Sequence, residues 1–82
     1  MLEVRVVNDD VTPMEFVVRV LESVFEKSRD EAIKIMLETH REGRAICGVF
    51  PEARARDLIG HALALAERAG HPLQFSLANA DA

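Results

Sequence analysis

The spacing of apolar residues changes abruptly near the start of the chain, and this change limits the folds that are possible. Residues 2–7 alternate between apolar and polar side chains and end in an apolar pair, which is typical of a strand. Thr12 is expected to cap a following helix, with Pro13 in the first helical position and Glu15 completing a capping box. Apolar side chains then recur three and four positions apart, which predicts an amphipathic helix. They are Met14, Val17, Val18, Leu21, Val24 and Phe25.

The remaining elements are predicted from capping residues and glycine stops. Ser28 and Glu31 form a second capping box, and the helix that they start is expected to stop at Gly43. Gly70 is expected to end a third helix, and the tail at 78–82 is expected to be frayed. The predicted strands are 2–7, 44–50 and 72–77, and the predicted helices are 13–26, 28–41 and 51 or 52–69.

The order β-α-α-β-α-β predicts a single α+β domain over residues 1–82, without repeats or linkers. Three short strands cannot cover both faces of a sheet with polar groups. We therefore expect two layers, with the three helices packed on one side of a three-stranded sheet. Periodicity alone does not fix the order of the strands.

The composition argues against several classes of protein. The net charge is −4 and no basic patch occurs, whereas nucleic-acid-binding domains usually carry one. No apolar run approaches the roughly 18–20 residues of a membrane span, and no signal peptide opens the chain. A soluble cytoplasmic protein is therefore expected. The single cysteine, Cys47, lies in an apolar run and is expected to be a small buried side chain rather than a reactive thiol.

Polar residues lie where the first strand ends and the first helix begins. Asn8, Asp9 and Asp10 can simply form a turn that hydrogen-bonds to its own backbone. A general acid/base pair is a second interpretation, but no nucleophile or third catalytic group accompanies the carboxylates. An acid-pair metal site would require a longer parallel sheet and a later lysine. No catalytic residue is therefore assigned.

His40 lies at the end of an apolar helix face, since Met36 is four residues earlier. It can be a core-edge histidine that is hydrogen-bonded to backbone. It can also be a ligand group, whose neutral imidazole nitrogen accepts a hydrogen bond from a bound cation. Metal binding is a third interpretation, but no partner occurs at short ligand spacing. The residues alone leave these interpretations open.

Three blocks of sequence together carry a family resemblance. The first block, residues 8–17, reads N-D-D-V-T-P-M-E-F-V. The second consists of residues 36–40, M-L-E-T-H, followed by residues 43–50, G-R-A-I-C-G-V-F, and the third, residues 71–73, reads H-P-L. In order and spacing these blocks resemble the ClpS family, the N-degron adaptors of the Clp protease. The resemblance implies an antiparallel sheet and an adaptor that is not an enzyme and needs no cofactor or metal.

The resemblance also implies roles for individual residues. Asn8, Asp9 and His40 match the positions that hold a substrate's free α-amino group, and Asp10 is expected to order the loop. An α-ammonium has three donors, and an amide oxygen, an imidazole nitrogen and a carboxylate are suitable acceptors, directly or through water. The pocket for the first side chain is expected to be formed by Thr12, Met14, Val17, Met36, Thr39 and Leu73.

Met14 has two interpretations. In the family its counterpart lies against the pocket wall and excludes β-branched first residues. On spacing alone, Met14 is the first core residue of an amphipathic helix.

Several features depart from the family pattern. Thr39 stands where an aliphatic residue is common, Val11 replaces a frequent aromatic residue, and residues 52–58 differ from the arrangement that many members use against the unfoldase. The first strand begins at residue 2, so the domain is expected to lack the flexible N-terminal extension that is usual in the family.

The sequence and the resemblance together predict an adaptor for proteins that begin with Phe, Tyr, Trp or Leu. It is expected to be a monomer that delivers them to a Clp AAA+ unfoldase of the ClpA kind, with no nucleic acid or membrane as a partner. The alternative is a small ferredoxin-like regulatory domain that binds an amino acid or forms a homodimer. A metal-dependent phosphotransfer domain is a third, weaker alternative.

Overall fold

The first strand of the chain lies at the centre of a three-stranded antiparallel sheet. The computed structural model describes residues 1–80. Its elements are β1 (Leu2–Val7), α1 (Met14–Ser23), α2 (Arg29–Glu42), β2 (Arg44–Phe50), α3 (Glu52–Ala69) and β3 (Gln74–Asn79). The strand order is β2-β1-β3, and both pairings are antiparallel. The predicted α+β class and element order are confirmed.

One hydrophobic core lies between the sheet and the helices. β1 turns Val4 and Val6 into this core, whereas Glu3 and Arg5 form an ion pair on the other face. This division follows from the alternation of side chains along a strand. The buried apolar side chains that the helices contribute to this core are Val18, Val20, Leu21, Ala32, Ala55, Leu58, Ala62 and Ala66.

The pairing of β1 with β2 contains one irregularity. Val4 lies opposite Gly48, but Arg5 lies opposite Ile46, so Cys47 is the extra residue of a bulge. Its side chain is 1% exposed, and burial raises the pKa of the Cys47 thiol to about 12. The prediction that Cys47 is a small buried side chain is confirmed.

The caps of α2 and the end of α3 follow the sequence signals. The Ser28 hydroxyl accepts the Glu31 N–H at 3.2 Å, which satisfies one free donor of the first turn of α2. Gly43 has φ 90° and its N–H donates to the Thr39 carbonyl at 2.9 Å. A left-handed backbone of this kind favours glycine, and it turns the chain directly into β2.

The predicted bounds of α1 and β3 are wrong at both ends. α1 spans only Met14–Ser23, shorter than the predicted 13–26 at both ends. β3 begins two residues later than predicted and includes Ala78 and Asn79, which were expected to be frayed. Both residues pair with the first residues of β1, because that central strand offers backbone partners to its very start. Residues 81–82 of the predicted tail lie outside the described residues.

Candidate functional site

A backbone hydrogen bond brings the end of β1 to the end of α2. The Asn8 N–H donates to the Gly43 carbonyl at 2.8 Å. Because His40 lies three residues before Gly43, in the last turn of α2, this contact sets the Asn8 loop beside His40. Asn8 and His40, which are distant in the sequence, therefore lie close together at the C-terminal end of the central strand β1.

The loop between β1 and α1 is organised by Asp9. Its Oδ1 accepts the Val11 N–H at 2.9 Å and the Thr12 N–H at 2.7 Å. Its Oδ2 accepts the Thr12 hydroxyl at 2.8 Å. Burial raises the pKa of Asp9, but these three hydrogen bonds and the nearby His71 lower it more, so it lies below its ordinary value. The carboxylate is therefore charged and holds the loop in one conformation.

The predicted capping box at the start of α1 is wrong. Pro13 is the N-cap residue, and no side chain caps the helix. Asp9 takes both the N–H and the hydroxyl of Thr12, which keeps Thr12 in the loop one position before the cap. Glu15 approaches Arg29 at 3.4 Å instead of reaching back to Thr12. The capping box and the Asp9 turn would use the same groups of Thr12. The Asp9 carboxylate is a charged acceptor and gives the stronger hydrogen bonds.

Asp9, and not Asp10 as predicted, makes the hydrogen bonds that order this loop. Asp10 is exposed, and its carboxylate makes no hydrogen bond within residues 1–80. It nevertheless lines the same recess as Asp9. The two neighbouring carboxylates therefore differ: Asp9 is occupied by the loop, and Asp10 is unoccupied.

An open recess lies between this loop, α1, α2 and the start of β3. It holds about 540 Å³, counted out to the solvent at its mouth. Every predicted site residue lines this recess, and the strand residues Val6 and Val7 line it as well. The full set is Val6, Val7, Asn8, Asp9, Asp10, Thr12, Met14, Val17, Met36, Thr39, His40 and Leu73. Sequence reasoning missed the two valines, although the apolar pair that ends β1 was a signal for them.

Besides Asp10, two more polar side chains of the recess have no hydrogen-bond partner among residues 1–80. Neither the Asn8 amide nor the His40 imidazole makes a hydrogen bond to another group of residues 1–80. His40 is exposed, so the interpretation of this residue as a core-edge histidine bonded to backbone is wrong. Both side chains can accept a hydrogen bond from a bound donor.

The apolar wall of the recess includes residues in very different environments. Met14 is 48% exposed, so the interpretation of Met14 as only a core residue is wrong. Leu73 is buried, and Val17 and Met36 are partly buried against the core. Thr39 is 4% exposed, and its hydroxyl donates to the Ile35 carbonyl of its own helix at 2.8 Å.

His71 stabilises the wall of the recess without lining it, a role that the sequence did not reveal. Its ring packs edge-on against Phe16, with ring centroids 4.7 Å apart, and its backbone N–H donates to the Ala66 carbonyl at 2.8 Å. These contacts fix the turn between α3 and β3 against α1. Leu73 follows two residues later and is thereby held in the recess wall.

Residues 1–80 contain no group of three or more His, Cys, Asp or Glu side chains arranged to hold a metal ion. Among the helices of this part of the chain, none is both long enough and apolar enough to cross a membrane.

A small two-layer α+β domain with a recess that combines unpaired polar groups with apolar walls is typical of a peptide- or small-ligand-binding module. Comparison with known proteins identifies its family. The model of the family described as ATP-dependent Clp protease adaptor protein ClpS matches residues 1–76. The chain belongs to the ClpS family.

Named relatives and a solved structure agree with this assignment. The ATP-dependent Clp protease adapter proteins ClpS of Herminiimonas arsenicoxydans and of Janthinobacterium sp. (strain Marseille) are each 50% identical over 74 residues. Each of these matches covers 90% of this chain and 72% of the relative. The structure of Agrobacterium tumefaciens ClpS2 bound to L-phenylalaninamide is 38% identical, with a TM-score of 0.90. That match covers 94% of this chain and 93% of the other.

Proposed function

We propose that the recess binds the free N-terminus of proteins that begin with Phe, Tyr, Trp or Leu. The domain then hands these proteins to a Clp AAA+ unfoldase of the ClpA kind for degradation. The observation that carries this proposal is the composition of the recess, in which uncommitted acceptors on Asn8 and His40 share one space with apolar walls. The proposal is supported by the related ClpS2 structure, whose ligand L-phenylalaninamide combines a free α-amino group with a phenylalanine side chain.

The α-ammonium group would be held by three acceptors. It has three donors and no acceptor, so the Asn8 amide oxygen, a neutral His40 nitrogen and one carboxylate match it. Asp9 already accepts three hydrogen bonds, which leaves about one of its roughly four lone-pair sites free. Asp10 has its whole carboxylate available. In this proposal Asp9 acts mainly through its charge and its hold on the loop, and Asp10 is the better placed direct or water-bridged acceptor.

The first side chain would enter the apolar part of the recess, between Met14, Val17, Met36 and Leu73. Burying a Phe or Leu side chain contributes roughly 1.5–3 kcal/mol. Each charge-assisted hydrogen bond adds about 1.5–3 kcal/mol. After the losses of association, a total near −8 kcal/mol corresponds to roughly micromolar affinity. Neither anchor reaches this value alone, so binding should require both a free amine and a large side chain.

Met14 would act as the gate of this pocket. Its side chain is about half exposed at the recess instead of being packed in the core. In the proposed complex, as in the family, this long flexible thioether side chain would narrow the space beside the β-carbon of the ligand's first residue. First residues that branch at this carbon, such as Val and Ile, should therefore be excluded.

Fluorescence anisotropy with a labelled peptide that begins with Phe tests the proposal. The same peptide with an acetylated N-terminus, and a third that begins with Val, should bind at least about tenfold more weakly, a difference of about 1.4 kcal/mol. His40→Ala and Asn8→Ala should lose binding of the Phe peptide. His61→Ala is the matched control, because His61 is an exposed histidine of α3 that does not line the recess. Equal binding of all three peptides would contradict the proposal.

Delivery is tested separately. A ClpA-type unfoldase with its peptidase should degrade a Phe-initiated substrate faster when this domain is added, and His40→Ala should abolish the gain. Light scattering should show a monomer under the same conditions. If binding is intact and no acceleration occurs, the assignment of the partner is refuted while the assignment of the recess stands.

A further inference from the structure

Thr39 is one of only two buried polar side chains among residues 1–80, and the other is Thr12. Both line the recess, and both have committed their single hydroxyl proton. The Thr39 hydroxyl donates to the Ile35 carbonyl at 2.8 Å, and the Thr12 hydroxyl donates to Asp9 at 2.8 Å. A hydroxyl group whose proton is used in this way can only accept further hydrogen bonds.

The surroundings of the two threonines differ. Thr12 lies in the loop with the carboxylates of Asp9 and Asp10, where the polar end of a ligand would be held. Thr39 lies on α2 three residues after Met36, an apolar residue of the recess, and directly before His40. Its oxygen therefore adds a hydrogen-bond acceptor beside the apolar side chain of Met36.

We propose that Thr39 is a specificity-determining residue that favours first side chains carrying a hydrogen-bond donor on an apolar body. Tyr, through its hydroxyl, and Trp, through its indole N–H, have this chemistry, whereas Phe and Leu do not. The inference rests on the proposed function, because it concerns the side chain that occupies the same recess. It goes further by ranking the ligands within that class.

The physical basis is the difference in free energy between burying a donor that keeps a hydrogen-bond partner and burying one that loses its partner. A Tyr hydroxyl that meets the Thr39 oxygen keeps a partner when it leaves water, whereas a Tyr hydroxyl in a fully apolar wall loses one. A Phe ring has no donor for the Thr39 oxygen. The Thr39 hydroxyl proton stays bonded to the Ile35 carbonyl with either ligand. One net hydrogen bond corresponds to about 2- to 12-fold in affinity.

A double-mutant cycle tests the inference. Peptides that begin with Tyr, O-methyltyrosine and Phe are measured by anisotropy against the wild-type protein, Thr39→Val and Thr39→Ser. Valine removes the acceptor at nearly the same size, and serine keeps the acceptor while it removes the methyl group. The ratio of Tyr affinity to Phe affinity should fall by about 2- to 12-fold in Thr39→Val. The ratio should be unchanged in Thr39→Ser, even if both affinities drop.

The wild-type protein gives a second readout that depends on no variant. O-methyltyrosine keeps the ring and the phenolic oxygen of Tyr, carries one added methyl group and has no donor, so it should lose the advantage of Tyr over Phe. An unchanged ratio in Thr39→Val, or equal binding of Tyr and O-methyltyrosine, would overturn the role of Thr39. If the Phe peptide and its acetylated form bind the wild-type protein equally, the proposed function itself fails, and the two failures are thus distinguishable.

Discussion

Removal of the Asp9 carboxylate should release the loop that forms one side of the recess. In Asp9→Ala, the Val11 N–H, the Thr12 N–H and the Thr12 hydroxyl lose their acceptor. Val11 is exposed, so water replaces its bond, but Thr12 is buried. Each buried donor left without a partner costs about 1–3 kcal/mol, and the hydroxyl can rotate toward another acceptor. We therefore expect the free energy of unfolding to fall by about 2 kcal/mol.

Thermal unfolding followed by circular dichroism at pH 7 measures this loss. For a domain of this size, 2 kcal/mol corresponds to a decrease in Tm of about 8–16 °C. Asp10→Ala is the matched control, because its carboxylate is exposed and makes no internal hydrogen bond. It should change the free energy of unfolding by less than about 0.5 kcal/mol while it weakens peptide binding. If Asp9→Ala melts within 2 °C of the wild-type protein, or if Asp10→Ala is the less stable variant, the division of roles is wrong.

The pH dependence of the stability difference between the wild-type protein and Asp9→Ala gives an independent test. The pKa of Asp9 is lowered in the folded state, so its contribution is present above the pKa of the unfolded chain, about 3.9. It is lost as the pH falls through the lower folded pKa. The stability difference between the wild-type protein and Asp9→Ala should therefore be constant near neutral pH and should shrink below about pH 4. A difference that grows in acid would contradict this reasoning.

Three further outcomes are expected. Gly48→Ala places a Cβ 2.8 Å from the ring of Phe50 and should lower the free energy of unfolding by about 1–3 kcal/mol. The matched helix variant Gly60→Ala, with nothing within 4 Å, should raise it by about 0.5–1 kcal/mol, and chemical denaturation compares the two. Met14→Ala should open the gate and increase the affinity of a Val-initiated peptide by about tenfold in anisotropy, with little change in Tm because Met14 is half exposed. Cys47, which is 1% exposed with a pKa of about 12, should react with a thiol reagent at pH 8 only as fast as the domain unfolds; fast labelling of the folded protein would refute its burial.

The elements that the sequence predicted well are those with a local cause. The Ser28 hydroxyl and the left-handed Gly43 set the start and end of α2 through contacts within four residues. β1 and β2 also have their predicted bounds, since alternation marks β1 and the flanking Gly43 and Pro51 mark β2. The strand order could not be predicted from periodicity, because it depends on pairing between segments about 40 and 70 residues apart.

The predicted site residues all line one recess, but the contacts between them were not predicted from the sequence. The family resemblance named the residues that line the recess, but it did not reveal which carboxylate holds the loop. At Thr12 the capping pattern and the Asp9 turn use the same atoms, and only the folded geometry decides between them. His71 was named only as part of the H-P-L block, and its contact with Phe16 could not be predicted because no local pattern records such packing.

The central position of β1 has a consequence for synthesis of the chain. β1 is the first strand to leave the ribosome, yet its two partners are β2 and β3, and β3 is made last. Until Gln74–Asn79 emerges, Val4 and Val6 lack one of the neighbours that bury them. The sheet consists only of long-range pairings, which form slowly compared with helices. A nascent chain should therefore stay open and vulnerable to proteolysis until β3 has been translated.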